Sequence, residues 1–223
     1  MKKSPEDYFS EQDFSVESPE QSGLTPAERA FMEKYMGVDG GAVLESIGLP
    51  PPGSPDVPGV PGQERARDDA AEEPLDDLLT TEPEIQMVAF FIGGQKFPIP
   101  TMSMQKALRA MPVAKLSSAP PLVAGVINLR GKVTPLLELR DILGVSSPRE
   151  GEDKFIIVCR RMGLQVGMII ERVHTMYRVS QTDIEWGIEA HIGTNPEFIS
   201  GLFKSGERLV GIVSVDRVIA GIL

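Results

Sequence analysis

Residues 120–143 read PPLVAGVINLRGKVTPLLELRDIL. Val123 to Leu129 is a short β-type apolar run, Gly131 supplies a turn, Val133 to Leu139 resumes the run, and a short helix is expected at about 139–143. Asn128 and Gly131 suit the turn, because both residue types tolerate positive φ. Arg130 has two readings among Val126, Ile127, Leu129 and Val133: exposed at the turn, or inserted between two barrels and paired with a carboxylate. Its five fixed donors would satisfy several acceptors in the second case. A structural role is the expectation, with any loss of binding on removing Arg130 following from a loosened fold.

The same texture continues on both sides. Met87 to Ile92, the turn Gly93-Gly94 and Lys96 to Ile99 read as a hairpin. Residues 101–110 (TMSMQKALRA) have helical composition and stop before Pro112. Phe155 to Cys159, Gln165 to Ile170 and Val173 to Val179 are three further strands; Gly201 to Phe203 and Arg208 to Val215 make a last hairpin, and a helix closes the chain from Asp216. Many short strands with Gly turns and few helices point to small barrels rather than an α/β sheet. Gly125 to Leu143 is also echoed by Gly201 to Ile219, each a strand, turn, strand and helix, which suggests two similar barrels side by side.

Residues 1–84 differ in kind. They hold 6 Lys+Arg against 20 Asp+Glu, whereas 85–223 hold 16 against 12, so the net charge of -10 comes from an acidic front on a mildly basic domain. Eleven of the 19 prolines also lie there, concentrated in 48–63, so the segment is expected to be largely disordered. Its exception is a short helix at about 25–36. Thr25-Pro26-Ala27-Glu28 is a capping box and Gly37 a stop, with Ala27, Phe31 and Tyr35 on one face. Phe31, Met32 and Tyr35 are then candidates for docking, either on the chain's own domain or on a partner. Pro74 to Leu79 is a second acidic and apolar candidate.

Residues 120–143 resemble the signature of the CheW-like domain family, through Pro121, Gly125-Val126, Asn128-Leu129-Arg130-Gly131, Pro135 and Glu138-Leu139-Arg140 in that order. The similarity continues through the Gly-apolar-apolar-acidic-X-Val pattern at Gly167 to Val173 and the tract ISGLFKSGERLVGIVSVDRVI, covering about 87–223. The resemblance implies a mainly β fold of two five-stranded SH3-like barrels. It also implies a non-enzymatic adaptor in the cytoplasm, recruited to receptor arrays, that joins the hairpin tip of a chemoreceptor to the regulatory domain of a CheA-type histidine kinase. Other CheW-like domains in such arrays are further expected partners. By the same resemblance Met104, Lys106, Asn128, Leu129, Arg130, Phe155 and Val173 line the receptor groove, with Met104 and Lys106 on its helical segment. Many relatives carry an acidic residue where this chain has Lys106, a charge reversal that should change partner choice.

Other classes fit less well. Two histidines and one cysteine at no metal spacing, with no G-x-S-x-G, Walker or G-x-G-x-x-G motif, give no basis for an enzyme or a cofactor. The acidic front, and the lack of a face combining Lys/Arg with aromatics, weigh against nucleic acid. No apolar run approaches the roughly 18 residues of a membrane span, the opening MKKSPEDYFSEQDF lacks a leader's apolar core, and the single Cys159 suits a reducing compartment. An adaptor of the same fold serving polar localisation, pili or gliding is the alternative that the long front segment favours. Met102, Met104 and Met111 cluster at the expected groove, His174 reads as a surface histidine, and Trp186 and His191 receive no role.

Overall fold

A computed structural model describes residues 26–36, 45, 46, 48, 73–117, 119–146, 155–187 and 194–223. Thr25, Gly37, nearly all of the Pro-rich stretch and His191 lie outside the described residues. Two helices precede the strands, α1 (Pro26–Met36) and α2 (Leu75–Thr81). Then follow β1 (Glu84–Ile92), β2 (Gln95–Pro100), β3 (Met104–Arg109), β4 (Val123–Leu129), β5 (Lys132–Glu138) and the one-turn α3 (Leu139–Ile142). The second half holds β6 (Phe155–Arg161), β7 (Leu164–Ile170), β8 (Arg172–Ser180), β9 (Ile184–Trp186), β10 (Ile199–Ser205), β11 (Arg208–Val213) and α4 (Val215–Ala220).

The strands form two units. One is a five-stranded sheet in the order β3-β6-β7-β5-β4, antiparallel except where β5 runs parallel to β7. The other combines the three-stranded sheets β2-β1-β8 and β11-β10-β9, with β2 lying beside β11. The fold is therefore mainly β, with each unit drawing strands from both halves of the chain. The sequence echo survives in a specific form. β4-β5-α3 in one unit and β10-β11-α4 in the other are the echoed hairpin-plus-helix segments.

Cross-strand pairs show how alternation builds the core. On β6, Phe155, Ile157 and Cys159 point into the main core, while Ile156 and Val158 join a smaller cluster on the opposite face with Ile127, Leu129 and Leu136. That second face is covered in part by Met111 and Val113 of the β3–β4 connection, where Ala114 bridges to Val126.

Residues 101–110 are corrected. Only Thr101–Ser103 is helical, a single 3₁₀ turn after Pro100, and Met104–Arg109 is the edge strand β3 paired with β6. The cause is a bulge between Met104 and Lys106. The extra residue puts Met104 and Ala107 on the inner face three positions apart, a spacing that imitates helical periodicity.

The start of the folded part at residue 85 is corrected as well. Leu75 and Leu79 of α2 are each 1% exposed. The carboxylate of Asp216 accepts from the Leu75 amide at 2.6 Å and from Arg161 Nε at 2.8 Å, and Arg161 also donates to the Glu73 carbonyl at 2.6 Å. Asp76 accepts from the Ser214 hydroxyl at 2.9 Å. Together these contacts tie residues 73–81 to α4. Helix α1 forms where expected and docks on its own domain: Phe31 is 1% exposed, and Met32 and Tyr35 pack on the same core. Tyr35 Oη donates to the Ile222 carbonyl at 3.0 Å and Lys34 Nζ to that of Leu223 at 2.9 Å.

Candidate interaction surface

The turn between β4 and β5 is two residues long, Arg130-Gly131, with φ of 53° and 82°. Positive φ at both positions is the I′ geometry whose twist matches a hairpin. Asn128 contributes differently from the expectation. It is a strand residue whose Oδ1 accepts from the Gly131 amide at 2.8 Å, while Arg130 takes the left-handed conformation. Arg130 is exposed, so of its two sequence readings the inserted arginine is excluded.

Leu129 lies in the outer cluster, and Lys106, paired with Val158, is on that same face of the sheet. Lys106, Asn128, Leu129 and Arg130 thus belong to the outward side and rim of the five-stranded unit. The other three expected groove residues do not join them. Met104, Phe155 and Val173 are 6%, 3% and 4% exposed and lie in the main core. Val173 pairs with Phe90 in the other unit, so these three act on any surface through packing. Met102 is exposed. Trp186 packs partly on the core against Gly201, where an added Cβ would sit 3.0 Å from its ring.

The arginine that does bridge the units is Arg140. On α3, it pairs with Glu171 at the crossover from β7 to β8, and both side chains are nearly buried, 8% and 13% exposed. Glu171 Oε1 also accepts from the Gly93 amide at 2.6 Å, in the β1–β2 turn of the other unit, and the Glu171 amide donates to the Phe91 carbonyl at 3.2 Å. Arg140 and Glu171 were visible in the sequence only as motif positions. Their signal is a charged residue embedded in an apolar run, LLELRDIL and GMIIERV.

A CheW-like domain model matches residues 86–222. The chain belongs to the CheW-like domain family. It is 29% identical over 138 residues to the chemotaxis protein CheW of Helicobacter pylori, covering 62% of this chain and 83% of the relative. With the CheW of Thermotoga maritima it shares 27% over 137 residues, 61% of this chain and 88% of the relative. Among solved structures, the scaffolding protein TtCheW of Thermoanaerobacter tengcongensis superposes with a TM-score of 0.55 at 21% identity, over 59% of this chain and 84% of that one, a likeness of fold. As a CheW-like protein the chain is a non-enzymatic chemotaxis adaptor that interacts with chemotaxis signalling components. No helix among the described residues is long and apolar enough to cross a membrane.

Proposed function

We propose that this chain couples chemoreceptors to a CheA-type histidine kinase at membrane-associated arrays, and that the Asn128–Gly131 turn with the neighbouring outer face is its receptor contact. The observation that carries the site is Arg130. A side chain with a Cβ held at φ 53° costs about 1 kcal/mol. Glycine would remove that cost, and an exposed guanidinium at a hairpin apex packs no core. Exposure at the apex puts its guanidinium within reach of a partner, which supports the reading. Its planar fork suits carboxylates and carbonyls on a helical hairpin. Coupling then requires no chemistry: a change in receptor geometry shifts the preferred arrangement of the bound kinase through differential contacts.

The test is calorimetric titration of the full chain with a receptor hairpin fragment and, separately, with the kinase regulatory domain. Arg130→Gly is expected to keep or slightly raise the melting temperature, to weaken receptor binding at least tenfold, and to leave kinase binding unchanged. Undiminished receptor affinity in Arg130→Gly would remove the turn from the site. No binding of either partner by the wild-type chain would remove the coupling role and favour an adaptor of polar or motility machinery.

A further inference from the structure

The unit of β1, β2 and β8 to β11 carries a groove of about 410 Å³ where the β1–β2 and β10–β11 hairpins meet. Its walls are β2, outermost in β2-β1-β8, and β11, outermost in β11-β10-β9. Among the described residues no strand ladder joins them, although they run side by side. The floor is apolar, formed by Phe91, Phe97 and Val210, and Leu209 is 57% exposed beside it.

The rim is basic. Lys96 and Arg208 line the groove, and the Arg172 guanidinium lies over the Phe91 ring at 3.9 Å. Among the described residues no carboxylate forms an ion pair with any of the three. His174, edge-on to Phe91 at 4.9 Å, registers the same field: its pKa is lowered by burial first and then by the nearby charges of Lys96 and Arg172.

We propose that this groove takes residues 6–11 of the chain's own acidic front, Glu6-Asp7-Tyr8-Phe9-Ser10-Glu11. In an extended segment alternate residues share a face, so Asp7, Phe9 and Glu11 present an aromatic flanked by two carboxylates about 7 Å to either side. That order matches an apolar floor between cationic rims. From residue 4 to residue 28 the chain has seven acidic residues and no Lys or Arg, so nothing in the stretch repels the rim. Fourteen residues separate Glu11 from α1, an extended reach of roughly 45 Å, longer than a domain of this size is wide. The intramolecular contact is therefore geometrically available, and salt should weaken it.

Amide spectra of the isotopically labelled full chain at low salt test this. The expected result is that residues 6–11 depart from random-coil shifts. They return to them in Lys96→Glu/Arg208→Glu, in Phe9→Ser and at 0.5 M salt, while the strand resonances far from the groove keep their positions. Random-coil shifts for residues 6–11 in the wild type would overturn the proposal, as would shifts that persist in both variants. A departure that scales with protein concentration would also overturn it, because the contact would then lie between copies. Phe9→Ser leaves the groove residues and the whole of 86–222 unaltered, so its result stands even if the double charge reversal perturbs folding.

Discussion

Replacing Arg140 by Met tests the joint between the two units. Removing the guanidinium leaves the Glu171 carboxylate, 13% exposed, accepting from the Gly93 amide at 2.6 Å. Breaking a buried pair from one side typically costs about 3–5 kcal/mol, because the surviving charge stays desolvated. For a domain of this size that is a fall in Tm of roughly 10 °C. Arg140→Met/Glu171→Leu removes both charges and takes the carboxylate acceptor from the Gly93 amide, so its cost should be about 1–2 kcal/mol, less than the single change. Urea unfolding of wild type, both singles and the double closes the cycle, with an expected coupling of at least about 2 kcal/mol. A cost below about 1 kcal/mol for Arg140→Met, or simple additivity, would refute the joint. The contrast with Arg130 sharpens the outcome: Arg140→Met should lower stability and both partner affinities together, whereas Arg130→Gly should lower only receptor affinity.

Four further perturbations have defined outcomes. Gly167→Ala would place a Cβ 2.4 Å from Leu136 Cδ2 and 2.8 Å from Ile156 Cγ2, and overpacking there should cost about 1–3 kcal/mol in urea unfolding. The Cys159 thiol, fully buried and pushed up to about 12 by desolvation, should resist a thiol reagent at pH 8 in the folded chain and react at once in denaturant. Asp76 has its pKa raised, by desolvation above all; a carboxyl raised in the folded state favours folding while protonated, so its contribution is lost as pH rises through the range above the ordinary Asp value. Asp76→Asn should therefore flatten the fall in stability as pH rises above the ordinary Asp range. Phe31→Ala should detach α1 at a local cost of up to about 3 kcal/mol, read as lost hydrogen-exchange protection over 26–36 with the barrels intact.

How far the fold was legible depends on whether local pattern and tertiary contact agree. They agree in β4, β5, β6 and β7, where β-branched alternation, turn glycines and the observed pairings coincide. They part in β3. A bulge moved its inward residues to Met104 and Ala107, and helix-forming Gln, Lys, Ala and Leu strengthened the false period, while the open edge of β6 decided the outcome. β9 was missed because three residues carry no period of their own. Its position follows from Gly201, which lets Trp186 close over β10. Residues 73–81 were assigned to the front segment by composition. What folds them is charge at a distance, Asp216 and Arg161 meeting a short helix more than seventy residues upstream of either.

The two arginines show the same limit in the candidate site. Local context favours neither: Arg130 follows Asn-Leu before a glycine, Arg140 follows Glu-Leu before an aspartate, and both sit among apolar residues. The difference is made by topology. Arg130 falls at the apex of a hairpin, where positive φ projects it outward, and Arg140 falls on the turn of helix after β5, where the chain has come to lie over the β7–β8 crossover. That crossover exists because the units exchange strands, β8 leaving the five-stranded sheet's neighbour β7 to pair with β1. A joint built this way bears on adaptor function. With β1, β2 and β8 interleaved between the halves of the chain, neither unit can shift without straining the Arg140–Glu171–Gly93 contact. A ligand on the Arg130 face therefore meets a platform whose far side is held in register. Rigid transmission requires that property, and two barrels strung on a linker would lack it.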